Sequence, residues 1–303
     1  MAILETSVFA LLKETIETVW GMKYDNAFAK NVWMKYMDVK KADDFWVDDQ
    51  EIVPTGLLAR KSQGAMAQLD TVQQGFAVRY TNDTYALTLQ ISEEVVEDNK
   101  YSKAVSWSDM AMESALMTPE YLCKNILARA TNTSYTGGDG VVLASTAHPL
   151  TGSSTTFSNR LATLAQLSRT GVEDLVTVIR RMPNSRGIIK GFAGKRLLCV
   201  PDNEMRAWEI LESAQVPDSA NNAINAAREH SGLERTPVVI PFLSSTSFWG
   251  MKTNVPNGLT WYWRVKPDLR QSDDSLAGLL NINIRQRHSL GWTDPRGFAL
   301  GNS

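Results

Sequence analysis

The chain is poor in the residues that most often announce chemistry. It has two cysteines, Cys123 and Cys199, and three histidines, His148, His230 and His288, in 303 residues. Two thiols exclude a disulfide framework and a four-thiolate zinc site. No His-x-x-x-His or Cys-x-x-Cys pair is present, so no metal site is expected. Neither sign of charge is in excess: 31 Lys+Arg stand against 33 Asp+Glu, a formal net charge of −2. That balance argues against a protein whose main task is to grip nucleic acid through a basic surface. No run of about 18 apolar residues exists to span a membrane. The first twenty residues are broken by Glu5, Lys13, Glu14 and Glu17, unlike a signal peptide. These absences lead us to expect a soluble protein made in a reducing cytoplasm. What is present is ordinary globular material, 43% hydrophobic and 21% charged, enough to bury a sizeable core.

Along the chain, Val8, Leu12, Ile16 and Val19 recur at helical spacing, with Phe9 and Trp20 widening the stripe, which predicts a helix over 5–20. After an acidic patch (Asp43, Asp44, Asp48, Asp49) the texture changes. Residues 58–71 hold few large core side chains and carry Arg60, Lys61, Gln63 and Gln68, so they read as an exposed excursion. Phe76, Val78 and Tyr80, then Tyr85, Leu87, Leu89 and Ile91, alternate on either side of the Asn82-Asp83 turn, predicting a hairpin or adjoining strands.

The acidic run at Glu93, Glu94, Glu97 and Asp98 leads into a long helical region over 101–130. Ser106 and Asp109 resemble a capping box, and Pro119 marks either a kink or the start of a second stacked helix. Thr170 to Glu173 is a second candidate capping box, ahead of a helix that Pro183 ends. A buried strand is expected over 197–200, a helix opening at Pro201, a polar surface stretch over 216–229, and strands over 238–240, 248–251, 259–265 and 279–284. The fold class is α+β, with strands concentrated toward the end.

Three constellations invite a chemical reading. Asp139, Ser145 and His148 are close in sequence and supply the residue types of a nucleophilic triad. They lack a Gly-x-Ser-x-Gly elbow, and a three-residue Ser-to-His spacing is not a hydrolase signature. Gly137-Gly138-Asp139-Gly140 has neither the lysine nor the following helix of a phosphate loop, and reads as a tight turn ahead of a strand-like run at 141–143. Arg180-Arg181 with Arg186, Arg285 with Arg287, and the Trp261-Tyr262-Trp263 run beside Arg264 could suggest nucleic-acid stacking. Alternating aromatics in a strand more often fill a core. No catalytic, cofactor-binding or metal-ligating residue is assigned. An arm and a long excursion that cannot bury themselves at home are what an assembling subunit needs.

The run Tyr85-Ala-Leu-Thr-Leu-Gln-Ile-Ser-Glu-Glu-Val-Val-Glu-Asp-Asn99 before a long helix resembles the passage from extended loop to spine helix in tailed-bacteriophage major capsid proteins. Asp139-Gly-Val-Val-Leu-Ala-Ser-Thr-Ala-His-Pro149 is similar to a further segment of that family, and so is the terminal run from Leu279 through Gly291-Trp292-Thr293-Asp294-Pro295.

The resemblance implies a Hong Kong 97-like capsid fold. Its parts would be an N-terminal arm over 1–44, an extended β-hairpin loop over 45–84, and a peripheral domain with a long spine helix over 85–195. An axial domain over 196–274 and a return to the peripheral domain over 275–303 would complete it. It implies hexamers and pentamers closing into an icosahedral shell around double-stranded DNA, with scaffolding and portal proteins as partners and, in some members of the family, decoration proteins. The expected inner face is neutral to acidic, since a basic lining would hinder DNA packing. Candidate intersubunit contacts are Phe9 and Trp20 on the arm, Arg60, Lys61, Gln63 and Gln68 on the loop, Glu93 and Glu94 before the spine, and Arg180 and Arg181. Lys61 lies where some relatives form a crosslink, though no matching asparagine is placed. The rival readings are an encapsulin-like compartment shell with a protein cargo and a hydrolase using Ser145 and His148.

Overall fold

The computed structural model describes residues 12–21, 30–98, 101–216, 223–274 and 276–303. Phe9 and the start of the expected first helix lie outside them. The described helix α1 covers 12–21. Its Leu12 and Ile16, one turn apart, are buried against Ile91, Leu280 and Ile282. Trp20 packs with Val19 beside Ala111, Met112, Ala115 and Ile284.

The surface α1 covers is a four-stranded sheet in the order β1 (Asp38–Lys41), β10 (Leu259–Asp274), β11 (Leu279–Trp292), β4 (Asp83–Ser92). β1 runs parallel to β10, and the remaining pairs are antiparallel. β11 alternates half-buried and buried residues along most of its length, so one face of the sheet carries Leu280, Ile282 and Ile284 inward.

Helix α3 (Tyr101–Ala128) lies on that face as a single helix with Pro119 inside it, not as two stacked helices. Its buried positions (Ser108, Met112, Ala115, Pro119, Cys123 and Leu127) recur every three or four residues. Ala111 and Ala115, having little side chain, let the helix sit close over Ile284. Ser106 does not cap it: inside the helix, its hydroxyl donates to Ser102 O at 2.8 Å. The short helix α2 (Glu93–Glu97) precedes it.

The far end of α3 enters the main core. Cys123 and Leu127 meet Trp33, Trp261 and Trp263 there, with the Trp33 and Trp261 ring centroids 4.6 Å apart. The aromatics of β10 are thus core, not a stacking platform for bases.

A second sheet has the order β12 (Phe298–Asn302), β9 (Trp249–Thr253), β7 (Gly194–Cys199), β8 (Val238–Val239). Helix α4 (Arg169–Arg181) buries Val172, Leu175, Val176 and Ile179 against it. Helix α5 (Glu204–Glu212) contributes Ala207, Ile210 and Leu211. The cap of α4 is Ser168, accepting from Gly171 N, two residues before the expected Thr170. The stretch expected to be polar surface instead contains helix α6 (Ala226–His230), with Asn225 and Ala227 buried.

Two further departures are physical. β10 and β11 form a ribbon much longer than the apolar pattern predicts: the largely polar, outward-facing second half of β10 pairs through the backbone with the first half of β11, and β11 runs on to Trp292 opposite the aromatic first half of β10. A register irregularity spans Val265 to Asp268, where Pro267 has no N–H to give the ladder. The expected strand after Gly140 is reduced to one bridge, Thr136 to Val142.

Candidate assembly surface

Strands β2 (Trp46–Gln50) and β3 (Ala77–Thr81) pair over five positions, from Trp46↔Thr81 to Gln50↔Ala77. Beyond them the chain runs out and back over 51–76 without strand pairing. Period two along the outgoing limb sends Val47, Asp49 and Glu51 toward the body and Trp46, Asp48 and Gln50 outward. The two inward carboxylates are the main fastenings.

Asp49 accepts from Tyr262 Oη at 3.1 Å, Thr293 Oγ1 at 3.0 Å and Asn257 Nδ2 at 3.2 Å. Glu51, 6% exposed, accepts from Arg296 Nη1 at 2.6 Å, from Ser185 Oγ, and from Thr151 Oγ1 at 3.2 Å. Arg296, 2% exposed, also donates to Asp294 Oδ1 at 3.0 Å and Pro183 O at 2.8 Å, and its guanidinium lies over the Phe157 ring at 4.4 Å. Burial raises the Asp294 carboxyl above its ordinary range, against the pull of Arg296. On the outward face of the hairpin, Asp48 and Arg79 form a two-bond pair at 2.7 and 2.8 Å, which lowers the Asp48 pKa.

A second fastening lies farther out. Arg186 donates to Asp70 Oδ1 at 2.7 Å and Thr71 O at 2.6 Å, while Asp70 Oδ2 accepts from Gly56 N at 2.8 Å. The Gly56 N–H first, and then Arg186, lower the Asp70 pKa. Past this tie the tip, 57–69, turns at Gly64 (φ 80°). Leu57, Leu58, Met66 and Leu69 are 79%, 101%, 90% and 89% exposed.

Arg60, Lys61, Gln63 and Gln68 all sit on this exposed tip. Trp20 is partly buried on its own chain, Glu94 is exposed and Glu93 half-buried at the start of α2. Arg180 donates to His230 O at 2.5 Å, and Arg181 is exposed at the end of α4. The structure therefore brings the four loop residues together and leaves Trp20, Glu93, Glu94, Arg180 and Arg181 dispersed, while Phe9 lies outside the described residues. Sequence reasoning missed Asp49, Glu51 and Arg296. The available signal was the alternation of acidic residues at 49 and 51 in a strand, which was submerged in the wider acidic patch.

The Ser-His-Asp question has a geometric answer. His148 Nδ1 does meet Asp139 Oδ2, at 2.7 Å, but Nε2 faces Asn159 Oδ1 at 3.1 Å. Asn159 Nδ2 donates to Leu143 O, Pro295 O and Phe298 O, so its Oδ1 is the acceptor that faces His148 Nε2, and both ring nitrogens are engaged. A base already committed in this way cannot deprotonate Ser145, whose Oγ instead accepts from Ala147 N at 3.2 Å. His148 is fully buried, as a bridge between segments.

The thiols are equally unsuited to chemistry. Burial pushes Cys123 well up and Cys199 up to about 12. Among the described residues no group of three or more His, Cys, Asp or Glu side chains could hold a metal ion, and no helix is long and apolar enough to cross a membrane.

A spine helix across a long-stranded sheet, a second sheet-and-helix unit, and a projecting loop with an apolar tip define a class: the Hong Kong 97-type shell subunit. Solved structures share the fold. The capsid subunit of the cyanophage P-SCSP1u superposes with a TM-score of 0.53 at 10% identity, over 88% of this chain and 87% of that one. The capsid of an empty GTA particle gives 0.52 at 11%, over 89% and 88%. A virus-like particle from Pyrococcus furiosus gives 0.52 at 11%, over 92% and 98%. A comparison with curated proteins finds no match. The family model for phage capsid protein matches residues 75–300, and the chain belongs to that family. It is thus a phage capsid protein, a shell-forming subunit whose place is the virion.

Proposed function

We propose that the subunit assembles as hexamers and pentamers into a closed icosahedral shell enclosing double-stranded DNA, and that it performs no catalysis. The observation that carries this reading is the contrast along one loop. Its base is fastened by one buried and one half-buried carboxylate, Glu51 and Asp49, while its tip presents Leu57, Leu58, Met66 and Leu69 to solvent. A stretch so apolar and so exposed needs cover from another chain, and copies of the same chain supply it repeatedly under closed symmetry. On this reading 1–44 is an arm, 45–84 the extended loop, 85–195 the peripheral domain, 196–274 the axial domain and 275–303 the return. Arg60, Lys61, Gln63 and Gln68 are then contacts to a neighbour, as are Glu93, Glu94, Arg180 and Arg181.

A scaffolding protein and a portal are proposed as assembly partners, and DNA is held without sequence readout. The near-zero net charge supports that role, because a strongly basic lining would retain DNA by counterion release. The rival reading, a compartment loaded with a protein cargo, shares the shell fold, but the phage capsid family match favours a genome container. Electron microscopy of the chain expressed with and without its genomic neighbours tests the proposal. Closed shells holding nuclease-protected DNA in the complete system are expected. A chain that stays monomeric under every condition would refute it, and shells filled with a single enzyme would support the compartment instead.

A further inference from the structure

The inner of the extended loop's two fastenings to the body is a buried charge. Glu51 is the last residue of the outgoing limb to be buried; after it, residues 52–55 are half-buried or exposed and the tip is fully exposed. Its carboxylate is met from three directions: Arg296 from the segment between β11 and β12, Ser185 from the loop after α4, and Thr151 from the turn between β5 (His148–Leu150) and β6 (Ser153–Phe157). The partner guanidinium is itself held in place by Asp294, Pro183 O and the Phe157 ring.

An apolar contact at this position would be non-directional, so the limb could rock about it. A carboxylate gripped by a charged fork and two hydroxyls defines an angle. The consequence grows with distance. Twelve extended residues, as from Glu51 to Gln63, reach up to about 40 Å. Where the outer Arg186–Asp70 tie gives way with it, a rocking of about 10° at the base would carry the tip up to about 7 Å, more than the width of a side-chain pocket.

We propose that Glu51, clamped on Arg296, is a positioning residue for assembly: it sets the direction in which the loop projects, so that the apolar tip reaches the neighbouring subunit in register. The role differs from that of the tip. The tip supplies contact, and Glu51 supplies aim. The inference rests on the assembly reading, and the test keeps the two separable.

The test is Glu51→Gln, which keeps the shape and removes the charge, alongside the Thr151→Val, Ser185→Ala double variant, which leaves the ion pair and removes the two hydroxyl bonds. Both natural cysteines are buried, so spin labels can be directed to Ser62→Cys on the tip and Thr155→Cys on the body of the unassembled subunit. In Glu51→Gln the tip-to-body distance distribution should broaden at least twofold. The yield of closed shells should fall tenfold or more, with open or polymorphic particles replacing them. The double variant should broaden the distribution less and retain some closed shells.

If Glu51→Gln assembles at parental yield and size while its distance distribution stays narrow, the proposal is wrong. It is equally wrong if assembly fails while the distribution remains parental, because the defect then lies elsewhere. Should Glu51→Gln not fold, the double variant decides: parental width and parental assembly overturn the idea. Failure of the parent chain itself to form shells would instead count against the assembly reading.

Discussion

Leu58 is 101% exposed in the subunit, so everything it can gain from burial must come from another chain. Fully burying a leucine side chain is worth about 2 kcal/mol relative to leaving it in water. Leu58→Ser should therefore remove about 2 kcal/mol from each loop-to-neighbour contact, which is roughly a 30-fold loss in that contact's association constant. Every subunit projects one loop, so the concentration threshold for assembly should rise by about the same factor. The isolated subunit should not notice: an exposed substitution away from core and caps shifts stability by about 0.5 kcal/mol or less, and its melting temperature by a few degrees at most. Light scattering across a concentration series gives the threshold, and calorimetry of the unassembled subunit gives the melting temperature. Two results would refute the reasoning. One is a threshold within about threefold of the parent, which would mean that no neighbour buries Leu58. The other is a melting temperature that falls in step with assembly yield, which would mean that Leu58 packs on its own body.

Other perturbations probe the body. His288 is fully buried among Tyr85, Trp261 and Trp263, and burial lowers its pKa from 6.5 to about 3. Its contribution to stability is intact above pH 6.5 and is lost as the pH falls toward 3, because only the unfolded imidazole takes up the proton, at up to about 1.4 kcal/mol per pH unit. His288→Phe keeps a ring in the stack and should flatten this part of the acid profile in urea titrations. An unchanged slope would contradict the assignment. Asn159→Ala leaves three carbonyl oxygens, Ser145 N and the His148 ring without their shared partner. It should cost about 3–5 kcal/mol of unfolding free energy, and a loss below about 1 kcal/mol would show that the network relaxes freely. Gly297→Ala would place a Cβ 2.2 Å from Gly258 Cα, backbone against backbone, whereas Gly140→Ala meets open space and only the strain of φ 74°. The first should prevent closure of the terminal strand, and the second should cost about 1–2 kcal/mol, as soluble yield and denaturant midpoints will show.

The elements legible in the sequence are those where burial has a period. Tyr85 to Ile91 alternates because one face of β4 meets the body, and α3 shows its three-and-four spacing because one stripe meets the sheet. Lys266 to Asp274 gave no such sign, since there backbone pairing to β11 does the work and most of the side chains face water. The capping residues were misplaced for a local reason: Ser106 and Thr170 have the right chemistry, but the chain had already turned helical by Ser106, and Ser168 stood ahead of Thr170. The exposed tip could be anticipated from its shortage of large core residues. Its fastenings could not, because Glu51 and Arg296 are 245 residues apart and nothing in either neighbourhood names the other.

One short segment explains how these fastenings work together. Between β11 and β12, Thr293 bonds Asp49 and Tyr80 from the loop hairpin. Arg296, itself bonded to Asp294, holds Glu51, and Pro295 O and Phe298 O accept from Asn159. Arg296 O also accepts from Thr253 Oγ1 at 2.6 Å, which ties the segment to β9. The two buried polar networks, one reaching Asp139 and His148 and the other reaching the loop base, therefore meet on six consecutive residues. Apolar packing organises the two four-stranded sheets but reaches the loop hairpin only through a small cluster, Val47, Val78 and Tyr80 with Ala42 and Tyr262. Buried charge is an expensive way to hold the hairpin, and replacing such pairs by apolar groups often stabilises a fold. Directional polar bonds make sense here where the angle of a projecting segment matters more than the stability of the body. By that argument, substitutions at Arg296 should disturb shell geometry more than substitutions of equal thermodynamic cost in the α4 core, such as Val176→Ala. Particle size distributions for variants matched in unfolding free energy will decide the point.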